Sequence, residues 1–382
     1  MKASSSPQSQ RATVFIAASE TDANLYYATK FIAPDPFIYL EIKGERILVM
    51  SDLEMDRAKS QSSVDRVLSY SEVEGRAKTQ GIAEPGTVEV VHILLRESGV
   101  TQIQVPVNFP FGHAVKFQSL GYQLFPKRDP FYEQRVVKTA EEVRFIEVAQ
   151  RATEQAVAAA HDMLRQASIN HDQLWFDGMP LTSERVKKLI NVRLMECDCV
   201  AQHTIVAGGE QACDPHNEGS GPLPAHRSII FDVFPRSATN RYFADMSRTV
   251  VRGTPSPELK RLYQTVLDAQ EEAITKVKDG ADGKRIHQGI CARFEKAGYQ
   301  TGLVNGRMQG YFHGTGHGVG LDIHEMPRIS RTGSLLQDGH VVTVEPGLYY
   351  PGLGAVRIED MVLVTKDGCR NLTNSPKTFE LG

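Results

Sequence analysis

The chain has 382 residues, 41% of them hydrophobic and 23% charged, with a formal net charge of −3. That length suits two domains, because single cores seldom outgrow about 250–300 residues. The charge balance gives no electrostatic reason to expect nucleic acid or an anionic membrane as partner, and no apolar run approaches the ~20 residues of a membrane helix.

Residues 1–11 are polar and are expected to form a disordered tail. The apolar stretch TVFIAA after them is too short for a signal h-region and reads as a buried strand. FIYLEIKGERILVMS reads as two strands joined at Lys43-Gly44, a hairpin signal. Residues 86–98 read as a helix and QIQVPV as a strand. Alternating strands and helices predict an α/β domain over 12–135. Its histidines and acids are scattered and suggest no site. Five cysteines without a second thiolate pair read as buried free thiols in a reducing cytoplasm.

Pro130 disfavours helix before it. Thr139 and Glu142 then form a capping box. Val143, Ile146, Ala149, Ala156, Ala160 and Leu164 keep helical spacing behind it, so a long helix opens a second domain over 139–382. Residues 182–196 read as a helix, and 203–207, 228–234 and 242–251 as strands. Ser256-Pro257-Glu258 starts a third helix, with Gly280 as its expected C-cap. A fourth runs over 283–297 to Gly298, and strands follow near 322–325, 340–347 and 355–365. Helix–helix–strands twice over suggests a pseudo-symmetric pair of halves with a pocket at their seam.

The stretch YFHGTGHGVGLDIHEM carries His313, His317 and His324 among four glycines, which let something bulky or charged pass close to the backbone. Elsewhere in this half Asp232, Asp245, Glu345 and Glu359 lie in strand-like apolar segments, where an unpaired charge is costly. Four carboxylates and an imidazole could approach one another only around cations. Two divalent ions fit that ligand supply. Its hard donors suit manganese, with cobalt, iron or zinc as further candidates. Such a site points to hydrolysis. Arg357, two residues from Glu359, would face the same side of a strand and could orient that carboxylate.

The motifs ADMSRTVVRG, HGTGHGVGLDIHEMP, VEPGLYY and VRIEDMVLVT occur in that order. Through them the chain resembles the pita-bread metallopeptidases, the aminopeptidase P and Xaa-Pro dipeptidase group. The resemblance covers 12–382. It implies a creatinase-like α/β N-terminal domain followed by a pita-bread catalytic domain. It also implies a dinuclear site held by Asp232, Asp245, His317, Glu345 and Glu359, with Asp245 and Glu359 bridging and Glu345 as candidate general base. His216, His313 and His324 match histidines that meet the substrate, and Arg357 matches the arginine behind the metals. Homodimers are implied as well. One departure is plain: Asp232 and Asp245 stand 245 − 232 = 13 residues apart, two more than this family usually shows. A longer hairpin loop, RSATN, would absorb the difference and keep both acids on one face.

The resemblance implies hydrolysis of an Xaa-Pro bond at a peptide N-terminus, by water activated between two metals. Xaa-Pro aminopeptidase is the first reading and Xaa-Pro dipeptidase the alternative. A creatinase-type hydrolase, a lyase on the same fold and an inactive binding module follow behind. Intact ligand positions count against the first and last of those three.

Overall fold

A computed structural model of the chain describes residues 11–382. The chain divides between Glu133 and Gln134 into two units. The tail expected over 1–11 lies outside the described residues except for Arg11, which donates to Gln102 at 3.2 Å and lies over the Phe125 ring.

In the first unit, period-two alternation sends successive side chains to opposite faces of a sheet. Val14 and Ile16 pack with Val88, Val91 and Leu95 of the helix Thr87–Glu97. Phe15 packs on the other side with Leu25, Phe31 and Tyr39. The sheet therefore has two covered faces. Its six strands run in the order Arg66–Ser69, Glu45–Met50, Phe37–Ile42, Ala12–Ala17, Gln102–Pro106, Gln123–Lys127. Lys43 and Gly44 both take positive φ, +55° and +86°, as a two-residue hairpin turn requires.

The second unit opens with the helix Ala140–Gln166. The Glu142 N–H donates to Thr139 Oγ1, and the Thr139 N–H donates to Glu142 Oε2. The helix Ser183–Met195 packs beside it. Ile205–Gly208, Ile229–Val233 and Met246–Val250 then form an antiparallel sheet. The order repeats with helices Pro257–Lys276 and Gly283–Lys296. A five-stranded sheet follows, in the order Glu325–Ile329, Gly316–Gly318, Val341–Val344, Asp360–Val364, Cys369–Asn371. Gly347–Tyr350 and Gly354–Arg357 form a separate two-stranded hairpin. The two sheets meet where Glu359 N–H donates to Ser247 O at 3.1 Å and Arg357 N–H to Thr249 Oγ1 at 2.9 Å.

Several sequence expectations are corrected. The third helix ends at Lys276, with Val277 extended as its cap. Gly280, at φ +74°, instead shapes the following turn, donating to Leu336 O. The strand expected at 322–325 begins at Glu325. The strand expected at 340–347 stops at Val344, because Glu345 N–H turns to Thr315 O and Pro346 has no N–H. That expected at 355–365 breaks at Ile358-Glu359, where the Glu359 N–H crosses to the other sheet. Of the thiols, Cys199 and Cys213 are buried, Cys291 and Cys369 half-buried, and Cys197 exposed. Among the described residues no helix is long and apolar enough to cross a membrane.

Candidate metal centre

Three of the four acids of the cluster stand at a strand end. Asp245 precedes Met246–Val250, Glu345 follows Val341–Val344, and Glu359 sits between two strands. The Glu345 N–H donates to Thr315 O and the Glu359 N–H to Ser247 O, so both backbones are tied to neighbouring segments. Asp232 lies within Ile229–Val233, opposite Ser247. The same register continues to a bridge between Arg236 and Phe243, and Ser237 N–H donates to Tyr242 O at 3.0 Å. The two additional residues are thus absorbed at the hairpin tip, and Asp232 and Asp245 share a face.

His317 is held by the strand Gly316–Gly318. Its Nδ1 lies 3.1 Å from Gly318 O, so Nδ1 carries the proton and Nε2 presents a lone pair. Burial, and then the neighbouring His324, push His317 down to about 3, so the ring is neutral. Nε2 stands 3.6 Å from Asp245 Oδ2 and 3.3 Å from Glu345 Oε1. With a neutral imidazole these are not ion pairs but three lone pairs turned toward one another. Ligand atoms of Asp245, His317 and Glu359 all lie within 4.8 Å of one another.

Charge sharpens the point. Asp245 and Glu359 are 4% and 2% exposed. Burial, then Glu359, Asp232 and Glu345, raise Asp245 well above the usual carboxylate range. Burial, then Glu345 and Asp232, do the same to Glu359. Burial pushes Glu345 up to about 7, against Arg357 and together with Asp232. Four carboxylates share one cavity with two guanidinium groups, Arg357 in their midst and Arg328, and cannot all ionise without added positive charge. The donor set, oxygen-rich with one free imidazole nitrogen, fits divalent cations.

Arg357 is buried and fully engaged. It donates to Asp232 Oδ2 at 2.7 Å, to Ser247 Oγ at 2.9 Å and to the Tyr349 hydroxyl at 2.9 Å. Tyr349 lies 2.9 Å from His313 Nε2, while His313 Nδ1 donates to Gly314 O at 2.7 Å. Both ring nitrogens of His313 are therefore occupied, and burial, then Arg357, push it down to about 3. Ser247 Oγ also donates to Glu359 Oε2 at 2.9 Å.

The cluster floors a cavity of about 890 Å³ that also takes in His216, His324, Arg328, Phe234, Phe312 and Ile323. All nine sequence-singled residues, Asp232, Asp245, His216, His313, His317, His324, Glu345, Arg357 and Glu359, line it. His216 and His324 are exposed at its wall, and the His324 ring stands edge-on to His317 at 4.4 Å. Sequence reasoning missed Ser247, Tyr349 and Arg328. Ser247 and Tyr349 lie inside quoted motifs but carry no charge to flag them. The glycines also change meaning. A Cβ on Gly316 would stand 1.9 Å from Thr343 O, and one on Gly318 2.2 Å from Met326 O. These two glycines admit neighbouring strands, not a substrate.

The Xaa-Pro dipeptidase of Pyrococcus furiosus is 28% identical to this chain over 369 residues, 95% of this chain and 94% of its own. The solved structure of prolidase from Pyrococcus furiosus superposes with a TM-score of 0.78 at 26% identity, covering 96% of this chain and 97% of its own. That of X-Pro aminopeptidase from Thermotoga maritima gives 0.80 at 23% identity, covering 97% of each, a likeness of fold. The sequence profile of metallopeptidase family M24 matches residues 144–366, which span every residue of the constellation. The chain belongs to metallopeptidase family M24.

Proposed function

We propose that this chain hydrolyses the Xaa-Pro bond at a peptide N-terminus, using two divalent metal ions, manganese first, held by Asp232, Asp245, His317, Glu345 and Glu359. The observation that carries the reading is the convergence of four carboxylates and a neutral imidazole lone pair on the floor of one cavity. One relative similar over nearly the whole length is named an Xaa-Pro dipeptidase. Bound there, divalent ions supply Lewis acidity and make water nucleophilic near neutral pH.

The chain's own residues do the rest. Glu345, on the floor of the cavity beside His317, accepts the proton that water gives up. Arg357 holds Asp232 in place and, through Tyr349, fixes His313. His216 and His324 reach the substrate from the cavity wall, and Phe234, Phe312 and Ile323 receive the apolar proline ring. A cytoplasmic homodimer belongs to the same proposal, on the resemblance alone.

One observation favours the dipeptidase within this reading. Arg328 is the cavity's second guanidinium and lines it beside Ser330 and Thr332. It suits the carboxylate that ends an Xaa-Pro dipeptide. The test compares Xaa-Pro dipeptides, Xaa-Pro-Xaa tripeptides and longer peptides with Mn²⁺ supplied. Dipeptides alone cleaved means dipeptidase, and longer peptides cleaved means aminopeptidase. No cleavage of either, with Asp245→Ala equal to the parent, removes the peptidase reading.

A further inference from the structure

Behind the carboxylates lies a second buried polar cluster. Arg248 is 2% exposed, and a guanidinium has five N–H donors to satisfy. All five find acceptors. Nη1 donates to Ser247 O at 2.9 Å and Glu359 O at 2.6 Å. Nη2 donates to Asp360 Oδ1 at 2.9 Å and Ser375 O at 2.8 Å. Nε donates to Pro376 O at 3.2 Å. The Asp360 carboxylate is fully buried, and its other oxygen accepts from Asn371 at 2.9 Å and lies 3.1 Å from Lys377 Nζ. Lys377 Nζ donates to Gln270 Oε1 at 2.8 Å, and Gln270 Nε2 donates to Val344 O, the residue before Glu345, at 3.4 Å.

The cluster thus grips the backbone at three places from which a carboxylate enters the site. Ser247 is two residues from Asp245 and donates to the Glu359 side chain. Glu359 is held by its own carbonyl. Glu345 is reached through Val344. The segment 375–377 supplies two carbonyls and the ammonium, and it is pinned in turn. Val251 N–H donates to Phe379 O at 2.7 Å, Leu381 N–H to Val251 O at 2.9 Å, and Phe379 stacks on Tyr263 with centroids 4.2 Å apart.

We propose that Arg248, with Asp360 and the segment 375–377, positions Asp245, Glu345 and Glu359 and thereby sets the affinity of the site for divalent metal. The inference rests on the metal reading proposed above. Arg248 touches neither metal nor substrate, so it acts through the backbones it binds. Outer groups that orient ligands are worth about 10–100-fold in metal affinity.

The test titrates Mn²⁺ by calorimetry into the metal-free parent, Arg248→Lys, Lys377→Met and Asp245→Ala, with circular dichroism as a check on folding. Lysine keeps the charge of Arg248 but cannot serve five acceptors in a planar fork. Arg248→Lys is expected to bind Mn²⁺ about tenfold more weakly, and Lys377→Met about threefold more weakly. Saturating Mn²⁺ then restores most of the peptidase rate to both, and a parental circular dichroism spectrum and melting curve of the metal-free variants separate this from a destabilised fold, which metal would also rescue by mass action. A folded Arg248→Lys with parental Mn²⁺ affinity overturns the proposal. If Arg248→Lys does not fold, parental affinity in Lys377→Met overturns it instead. A parent that binds no Mn²⁺, like Asp245→Ala, defeats the metal reading and not the positioning role alone.

Discussion

Without metal, the carboxylate cluster makes the stability of the protein depend on pH. Glu345 is pushed from 4.5 up to about 7, chiefly by burial. A raised folded-state value means that the native protein binds this proton more tightly than the unfolded chain does. Its stabilisation is complete below about pH 4.5 and is lost as pH rises to about 7. At about 1.4 kcal/mol per pH unit, the metal-free protein loses on the order of 3 kcal/mol across that window. Asp245 and Glu359, also raised, act in the same direction. Asp360 opposes them only in stronger acid: although buried, it is held below 3.8 by Arg248 and Lys377. The perturbation is Glu345→Gln, a near-isostere that cannot ionise. In a domain of this size 3 kcal/mol is roughly 6–12 °C of Tm. Melting curves of EDTA-treated protein at pH 5 and pH 8 should show Glu345→Gln melting above the parent by about that amount at pH 8 and close to it at pH 5. Added Mn²⁺ should reverse the order at pH 8, because ionised carboxylates hold metal and the amide does not. Equal melting of both proteins at pH 8 without metal would refute the charge argument.

Three further outcomes follow from the same geometry. Gly316→Ala forces a methyl against Thr343 O beside His317, whose N–H donates to Thr343 Oγ1. Denaturant titration should register a loss of about 3 kcal/mol, and calorimetry a weaker Mn²⁺ affinity. Tyr349→Phe keeps the ring and removes the hydroxyl between Arg357 and His313. Steady-state assays should show kcat/KM down about tenfold, as one lost charged hydrogen bond implies, and a parental value would dissociate this link from catalysis. Arg328→Gln should raise KM for Xaa-Pro dipeptides about tenfold or more while leaving kcat near parental. An unchanged KM would release Arg328 from substrate recognition.

What the sequence made legible depended on whether the cause was local. Thr139 with Glu142, and Ser256 before Pro257, cap their helices through neighbours three residues away, so both starts are readable. The acids were readable because charge in an apolar segment has no cheap explanation. Most strand ends were not. Pro346 marks the stop of Val341–Val344, but Glu345 turns inward because its N–H finds Thr315 O, a partner that no nearby pattern announces. Ser247 and Tyr349 were missed for the same reason: an uncharged hydroxyl acquires meaning only from what the fold sets against it. Gly316 and Gly318 were misread because a close approach is visible in sequence, while its direction is not.

The spacing from Asp232 to Asp245 shows how such distant causes are tested. Counted along the chain, two additional residues look like a damaged ligand. Counted across the hairpin, they are neutral, because the pairing of Ile229 with Val250 carries one register to the bridge between Arg236 and Phe243. A β-ladder transmits parity, not length. The insertion is confined to the tip, where Ser237 N–H closes on Tyr242 O, and Asp232 keeps its place against Arg357. Deleting two tip residues, Thr239 and Asn240, should therefore leave Mn²⁺ affinity within about twofold of the parent, whereas deleting one would shift the facing of every residue beyond it and abolish binding. A two-residue deletion as damaging as a one-residue deletion would mean that the tip itself, not the register, holds Asp232 in the site.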